Sequence, residues 1–495
     1  MNSPTERATR GGPRLIYTRD VKGKSLAHPE NQPLIHRLPS EILAKIFICR
    51  LPNRYPFHFL SAENAPLLLC NICSFWRRLA TSTPQLWKAF VYNTGEEMGD
   101  PDRFIEGIHT WLKRSGALPL TIHINQYYGN SPEHTTELRL LCAALSEYAS
   151  RWEDVRIFTR APFAARPSLG DLPLLHTLRI GSTFDRGALV HKFPFDSVPR
   201  LTVLEFADMP VTPAAISGVP WDQLTVLNVY EEVTLLRVVE ILECCPRLES
   251  LSLKNFEHNP DSGTLARRRI TQNALRMIEF QLPDDCPIFQ LLTLPALANV
   301  NLYSRYKDAA IRSFTTELVD CFSRSKCKLE KLTFRSGISS EFKILECLKH
   351  KSCESLTHLY LTNSPLYGAR MVEDELLVLL TYAEDKPEGP LCPKLSRLEM
   401  EHCCSPVLTP GFLGEMVCSR RFGCPEENRL NSFSLTVFEP PNEEDQALLE
   451  KAKEDGLVFS LKLSERGDFE DESDDGDDDD EGDDNGDNDD NEDTS

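Results

Sequence analysis

What this sequence lacks narrows it before any motif is read. No apolar run approaches the roughly 18 residues that a membrane-spanning helix requires, and the N-terminus has no leader pattern. An intracellular protein with no membrane partner, cytoplasmic and/or nuclear, is therefore expected. The chain has no G-x-G-x-x-G, no H-E-x-x-H and no G-x-S-x-G. Gly23-Lys24-Ser25 ends like a phosphate loop, but Thr18 stands where the loop's first glycine belongs and no strand-like run precedes it. The 12 histidines are dispersed, and His402 beside Cys403 and Cys404 suits a strand edge better than half of a catalytic pair. Nothing positive supports an enzyme, and no cofactor or catalytic residue is expected.

A second C-x2-C is also missing. The chain has 16 cysteines, but they are scattered through 495 residues with no secretory signal, so reduced thiols are expected rather than a disulfide framework. Cys70 and Cys73 have metal-ligand spacing, and Cys347, His350 and Cys353 lie close together, yet four converging ligands cannot be assembled from them. The thiols read as small core hydrophobes, and no metal is expected.

Basic excess is absent as well. Between Asp468 and Asp493 there are 18 acidic residues and no basic one; taking these 18 from the net charge of −21 leaves the rest of the chain near −3. A near-neutral body offers no electrostatic footprint for nucleic acid. Residues 1–33, with Gly11-Gly12-Pro13 and few apolar side chains, and the acidic residues 467–495 cannot bury a core and read as disordered.

What the chain does contain begins at residue 34. Pro39 suits a helix start, and Ile42, Leu43, Ile46 and Phe47 then make one apolar face. A second helix is expected from about Asn64 to Ala80, carrying Leu68, Ile72, Phe75, Trp76 and Leu79. Thr83-Pro84 opens a short third helix with Leu86, Trp87 and Phe90. The Pro-containing stretch Cys49 to Phe59 reads as an irregular connection. The ordered set Leu38-Pro39-Ser40-Glu41-Ile42-Leu43, Ile46-Phe47, Cys73 through Trp76, and Pro84-Gln85-Leu86-Trp87 resembles the F-box, in the looser form common in fungal proteins, with a longer link between the first two helices.

Beyond this module, helices are expected over 103–114 and 135–150 and strands over 118–124 and 155–158. From Leu175 one frame then repeats, with apolar residues at positions 0, 3 and 5, from Leu175, Leu178 and Ile180 to Leu430, Phe433 and Leu435. Leading leucines are spaced 26, 23, 24, 27, 22, 32, 27, 39 and 35 residues apart, near the 20 to 29 of leucine-rich repeats before loosening. Helical stretches fall between frames, at 235–244, 315–323, 342–349 and 374–383, and after the last at 443–454 before a strand over 457–463. This pattern resembles a leucine-rich-repeat solenoid, although the family's Asn or Cys at position 8 survives almost only as Cys403.

The expected fold is thus α/β: a small all-helical F-box-like module followed by an irregular leucine-rich-repeat solenoid, with a parallel sheet on one face and helices on the other. The parts are a lead-in (1–33), the F-box-like module (34–92), an α/β connecting segment with the first solenoid units (93–170), the repeats (171–440), a C-terminal cap (441–466) and the acidic tail (467–495). The resemblance implies the substrate-recognition subunit of a cullin-RING (SCF-type) ubiquitin ligase, with a Skp-type adaptor and cullin as partners and an unknown protein target. Adaptor-facing residues would be drawn from Leu38, Pro39, Ile42, Leu43, Ile46 and Phe47, some of which must instead pack the module's own core. Strand alternation turns positions 2, 4 and 6 of each frame away from the leucines, and position 6 supplies Tyr230, Lys254, Gln281, Tyr303 and Arg335 as the candidate target row. The alternative is a ligase-independent scaffold or a binder of basic proteins such as histones, acting through the acidic tail.

Overall fold

The computed structural model describes residues 34–51, 62–94, 100–126, 132–158, 170–181, 197–207, 218–256, 268–282, 286–304, 314–335, 340–363, 371–383, 389–405 and 407–464. The lead-in, the acidic tail and most of the connection after Cys49 lie outside them. The chain divides into two compact units, Met1–Leu86 and Trp87–Ser495.

The first unit is helical. After a 3-10 turn at Leu34–Arg37, α1 spans Ser40–Cys49, with Pro39 as its N-cap rather than its first helical residue. Leu43 and Phe47 are fully buried, and the Phe47 ring lies 4.8 Å from that of Trp76. The single helix expected from Asn64 to Ala80 is two: α2, Leu67–Ile72, and α3, Ser74–Thr81. The break is Cys73, whose backbone is extended and whose Sγ accepts from the Trp76 amide at 3.4 Å, a thiol serving as helix cap. The expected third helix is only a 3-10 turn, Pro84–Leu86. Trp87 and Phe90, assigned by sequence to this module, belong to the second unit, where Phe90 lies in a strand and the Trp87 ring packs 4.8 Å from Trp111.

The second unit is built on an open sheet of 14 parallel strands in which each main strand pairs with the one before and the one after it in the chain. They are β1 (Ala89–Thr94), β2 (Leu120–Gln126), β3 (Trp152–Phe158), β4 (Thr177–Gly181), β5 (Val203–Ala207), β6 (Val226–Val233) and β7 (Ser250–Phe256). After the two-residue β8 (Ile270–Thr271) come β9 (Met277–Leu282), the two-residue β10 (Leu292–Thr293) and β11 (Asn299–Ser304). The sheet continues through β12 (Lys331–Arg335), β13 (His358–Thr362), β14 (Arg397–Glu401), β15 (Ser432–Val437) and β16 (Val458–Leu463), while β8 and β10 pair only with each other. Because parallel neighbours cannot be joined by a tight turn, each link must return to the start of the sheet. Helices make many of these returns: α4 (Pro101–Arg114), α5 (Pro132–Ser146), α6 (Leu235–Cys244), α7 (Ile288–Leu291), α8 (Thr315–Ser325), α9 (Glu341–Leu348), α10 (Asp374–Leu380), α11 (Phe412–Cys418) and α12 (Glu443–Glu454). From α7 onward each helix packs on its sequence neighbour.

Every residue of the ten sequence frames is buried, including all the leading leucines, so the frame is the core of this unit. The strands read intermediate, buried, intermediate, buried, the signature of a sheet with one covered and one open face. Caps come from neighbouring returns as well as from the helix itself. Glu341 Oε1 on α9 accepts from the backbone N–H groups of Glu373 at 2.7 Å and Leu376 at 2.8 Å, closing the start of α10. Asp445 on α12 accepts in the same way from Gly414 of α11 at 2.7 Å. Past α11 the chain makes a turn of π-helix, Ser419–Gly423, that the sequence did not announce. In the segment 93–170, β2 and β3 lie where strands are expected over 118–124 and 155–158, and both run in register with their neighbours in the sheet.

Candidate functional site

Two surfaces matter, one on each unit. On the helical unit the six candidate adaptor residues separate cleanly. Leu43 and Phe47 face inward at 0 % exposure, whereas Leu38 (38 %), Ile42 (43 %) and Ile46 (40 %) remain open, as does Pro39. Leu34 and Ile35 extend the open apolar stripe toward the N-terminus, and α2 adds exposed Leu68 and Ile72. A helix turns by 100° per residue, so i and i+4 share a face; Ile42 and Ile46 are such a pair, with Leu43 and Phe47 one step round, and Leu38 precedes the helix.

On the sheet unit, parallel register converts the repeat into rows. Gln281, Tyr303 and Arg335 are direct partners on β9, β11 and β12. Tyr230 lies next to a register shift in β6 yet meets the row through Lys254, whose Nζ stands 4.4 Å from the Tyr230 ring centroid. The guanidinium of Arg335 lies 5.0 Å from the ring centroid of Tyr303 and 5.2 Å from that of Tyr360 on β13. Tyr360 escaped the sequence reading because it sits at position 4 of its frame, not 6; only the diagonal between neighbouring strands brings it to Arg335.

The tyrosine hydroxyls are committed. Tyr303 donates to Glu279 Oε1 at 3.0 Å and receives Asn301 Nδ2 at 3.2 Å. Tyr360 donates to Glu401, whose Oε2 also receives the Thr362 hydroxyl at 3.2 Å. Burial, then the bond and charge of Glu401, push the Tyr360 hydroxyl up to about 12; Tyr303 is raised by burial and Glu279. A tyrosine whose folded pKa lies above its ordinary 10.0 lends stability that is complete below pH 10 and lost as the pH rises through about 12. Spectrophotometric titration should therefore show one phenol ionising near that upper value in the native protein and missing in Tyr360→Phe, whose stability should fall less steeply across the same window.

Nearer the start of the sheet the open face carries an ionic row. Arg179 bridges Asp154 at 2.8 Å and Glu205 at 3.4 Å, and His123 lies 3.9 Å from Asp154, its pKa lowered chiefly by burial.

No family model matches this chain, and no curated protein does.

The remaining sequence candidates are structural. His350 accepts the Ser352 amide at its Nδ1 at 3.1 Å and meets the Ser323 hydroxyl at its Nε2, so it caps a turn beside Cys347 and Cys353. Those two thiols are buried, which pushes both well above the ordinary cysteine range, and Cys392 is raised to about 12. Such thiols are poor nucleophiles and poor ligands. His402 packs its ring 4.5 Å from Phe438 and meets the Ser464 hydroxyl at 3.3 Å.

Proposed function

We propose that this chain is the substrate-recognition subunit of a cullin-RING ubiquitin ligase. Its helical unit, read as an F-box, docks a Skp-type adaptor that links it to the cullin. Its sheet unit, read as an irregular leucine-rich-repeat solenoid, holds a protein target on the open face of the strands. The subunit catalyses nothing itself and brings the target within reach of ubiquitin transfer.

The observation that carries this reading is the open stripe Leu34, Ile35, Leu38, Ile42 and Ile46 on a small helical unit whose own core is already filled by Leu43 and Phe47. Aliphatic side chains left in water close together in the chain, on a small unit whose core is filled by other residues, support a partner surface. The target half is supported by the ordered aromatic and charged row on the sheet, with Tyr and Arg the residue types that dominate binding hot spots.

Two measurements test the two halves. Affinity purification of the full chain with the proteasome inhibited should recover adaptor, cullin and target together; absence of the adaptor removes the ligase reading. Replacing Tyr230, Tyr303 and Arg335 together by Ala should abolish target recovery while the variant keeps the circular dichroism of the folded parent, because none of the three belongs to the buried frame. Unchanged recovery by a folded triple variant would place the target elsewhere.

A further inference from the structure

Arg335 contrasts with Arg179 and Arg397, the arginines of the sheet that carboxylates hold. Arg179 has two carboxylate partners, whereas Arg335 makes no ion pair and no hydrogen bond within the described residues. Its Nε is out of contact with solvent and has no acceptor. The carboxylates that could neutralise it, Glu279 and Glu401, are instead turned to the hydroxyls of the two tyrosines that flank it. The rings hold the guanidinium by their faces, which fixes its plane without satisfying its N–H groups. The result is a cation with aromatic walls, donors unspent, in the middle of an open face.

We propose that Arg335 is a receptor for a carboxylate side chain, Asp or Glu, on an extended segment of the target that lies across β11, β12 and β13. This deepens the reading of the sheet as the target-binding face and rests on it. The guanidinium supplies a planar fork that a carboxylate can meet with two parallel hydrogen bonds, and the rings exclude water from around that contact.

The neighbours set the charge pattern of the occupant. β9 and β14 are each the second strand away from β12, about 10 Å at the usual strand spacing. An extended segment crossing the strands covers that distance in about three residues. A basic residue about three positions to either side of the acidic one therefore meets Glu279 on one side and Glu401 on the other. The same two carboxylates, roughly a Debye length from Arg335, oppose a doubly charged phosphate more than a singly charged carboxylate.

The test uses the full-length protein and a fluorescein-labelled, end-capped heptapeptide with Lys at both ends, Glu at the centre and Ser elsewhere, followed by fluorescence anisotropy at low salt. The Glu peptide should bind; a central Gln, or Arg335→Gln in the protein, should each weaken binding by about tenfold or more, the usual worth of a charge-assisted hydrogen bond. The two changes combined should cost little more than either alone, since both remove the same contact. Arg335→Lys, which keeps the charge and loses the fork, should fall between, and serves if the Gln variant does not fold. Equal binding of the Glu and Gln peptides overturns the receptor, as does a phosphoserine peptide that binds more tightly than the Glu peptide, or absence of binding at about 1 mM. Failure of the receptor and failure of the face are distinguishable. Loss of target recovery in the triple alanine variant with no Glu-over-Gln preference retains the face and removes the receptor, while unchanged recovery by the folded triple variant, which lacks Arg335, overturns both even where the peptide preference holds.

Discussion

Replacing Ile42 and Ile46 together by Asp should abolish adaptor recovery and leave the sheet unit folded and able to hold its target. Both side chains stand about two-fifths exposed on one stripe of α1, so neither is spent on the interior of its own unit. Covering the remaining apolar surface of one such side chain contributes on the order of 1 kcal/mol, a fraction of the 1.5 to 3 for full burial. Loss of two alone would weaken docking roughly thirtyfold. Aspartate adds the larger effect, because an adaptor that covers the stripe would then have to desolvate two carboxylates with no partner, at several kcal/mol. Leu43→Ala makes the informative contrast: fully buried, it should unfold the helical unit, at a cost of about 2 to 5 kcal/mol. The Asp variant should keep its helical circular dichroism and trap target without degrading it. Undiminished adaptor binding would locate the interface away from α1.

The largest stability effect is expected at Arg420. This residue is completely buried, in the π-helical turn after α11. It donates from Nε to the carbonyl of Leu380 at 2.6 Å, from Nη1 to that of Cys392 at 3.1 Å and from Nη2 to that of Leu391, while its own carbonyl receives the Leu430 amide at 3.2 Å. The side chain therefore ties the end of α10 to the approach to β14, while the backbone of the same residue holds the approach to β15. Arg420→Met keeps the volume and strands three buried carbonyls, so chemical denaturation should show a loss of about 3 to 5 kcal/mol. Arg420→Lys should be nearly as damaging, because an ammonium at the end of a flexible stem cannot span the three acceptors that a planar fork reaches. A loss below about 1 kcal/mol for both would mean that water replaces the guanidinium at no cost.

Much of the sheet was legible because its core obeys a spacing rule. Positions 0, 3 and 5 fall inside wherever the frame occurs, and α6 and α12 have the bounds that the sequence predicts. The reading stopped short at the beginning because it followed leucine. Trp87, Phe90 and Tyr92, then Trp152, Val155 and Ile157, have the same spacing and the same burial, with tryptophan at the head. Recognised as frames, they would have moved the boundary of the helical module from 92 back toward Leu86 and carried the repeat into a segment where strands were expected without it.

The sites were less legible, for reasons of geometry. On α1, four apolar residues at i, i+1, i+4 and i+5 make a face too wide for one contact, and only the direction of the unit's core decides that Leu43 and Phe47 go in and Ile42 and Ile46 stay out. The break at Cys73 had no Gly or Pro to announce it, since a thiol accepted the orphan amide. On the sheet, alternation turns Tyr360 outward as it does Tyr303 and Arg335, but the approach of Tyr360 to Arg335 runs along a diagonal between two strands, which depends on register. Nothing in the text around Arg420 distinguishes it from Arg421, whose guanidinium reaches Asp455 nearer the surface.

The final rung, β16, exposes Val458, Leu461 and Leu463 along a backbone edge that no further strand occupies among the described residues. A sheet built by adding parallel rungs has no intrinsic length limit, and a greasy terminal rung is the natural seed for filament growth between copies. Two features of the text oppose that growth. Lys462 sits within the rung, and five residues after Leu463 the run from Asp468 to Asp493 begins, so two copies pairing through their β16 edges would bring together two blocks of 18 acidic residues each. The consequence of so much like charge next to the last rung is that pairing of two such edges is opposed by repulsion.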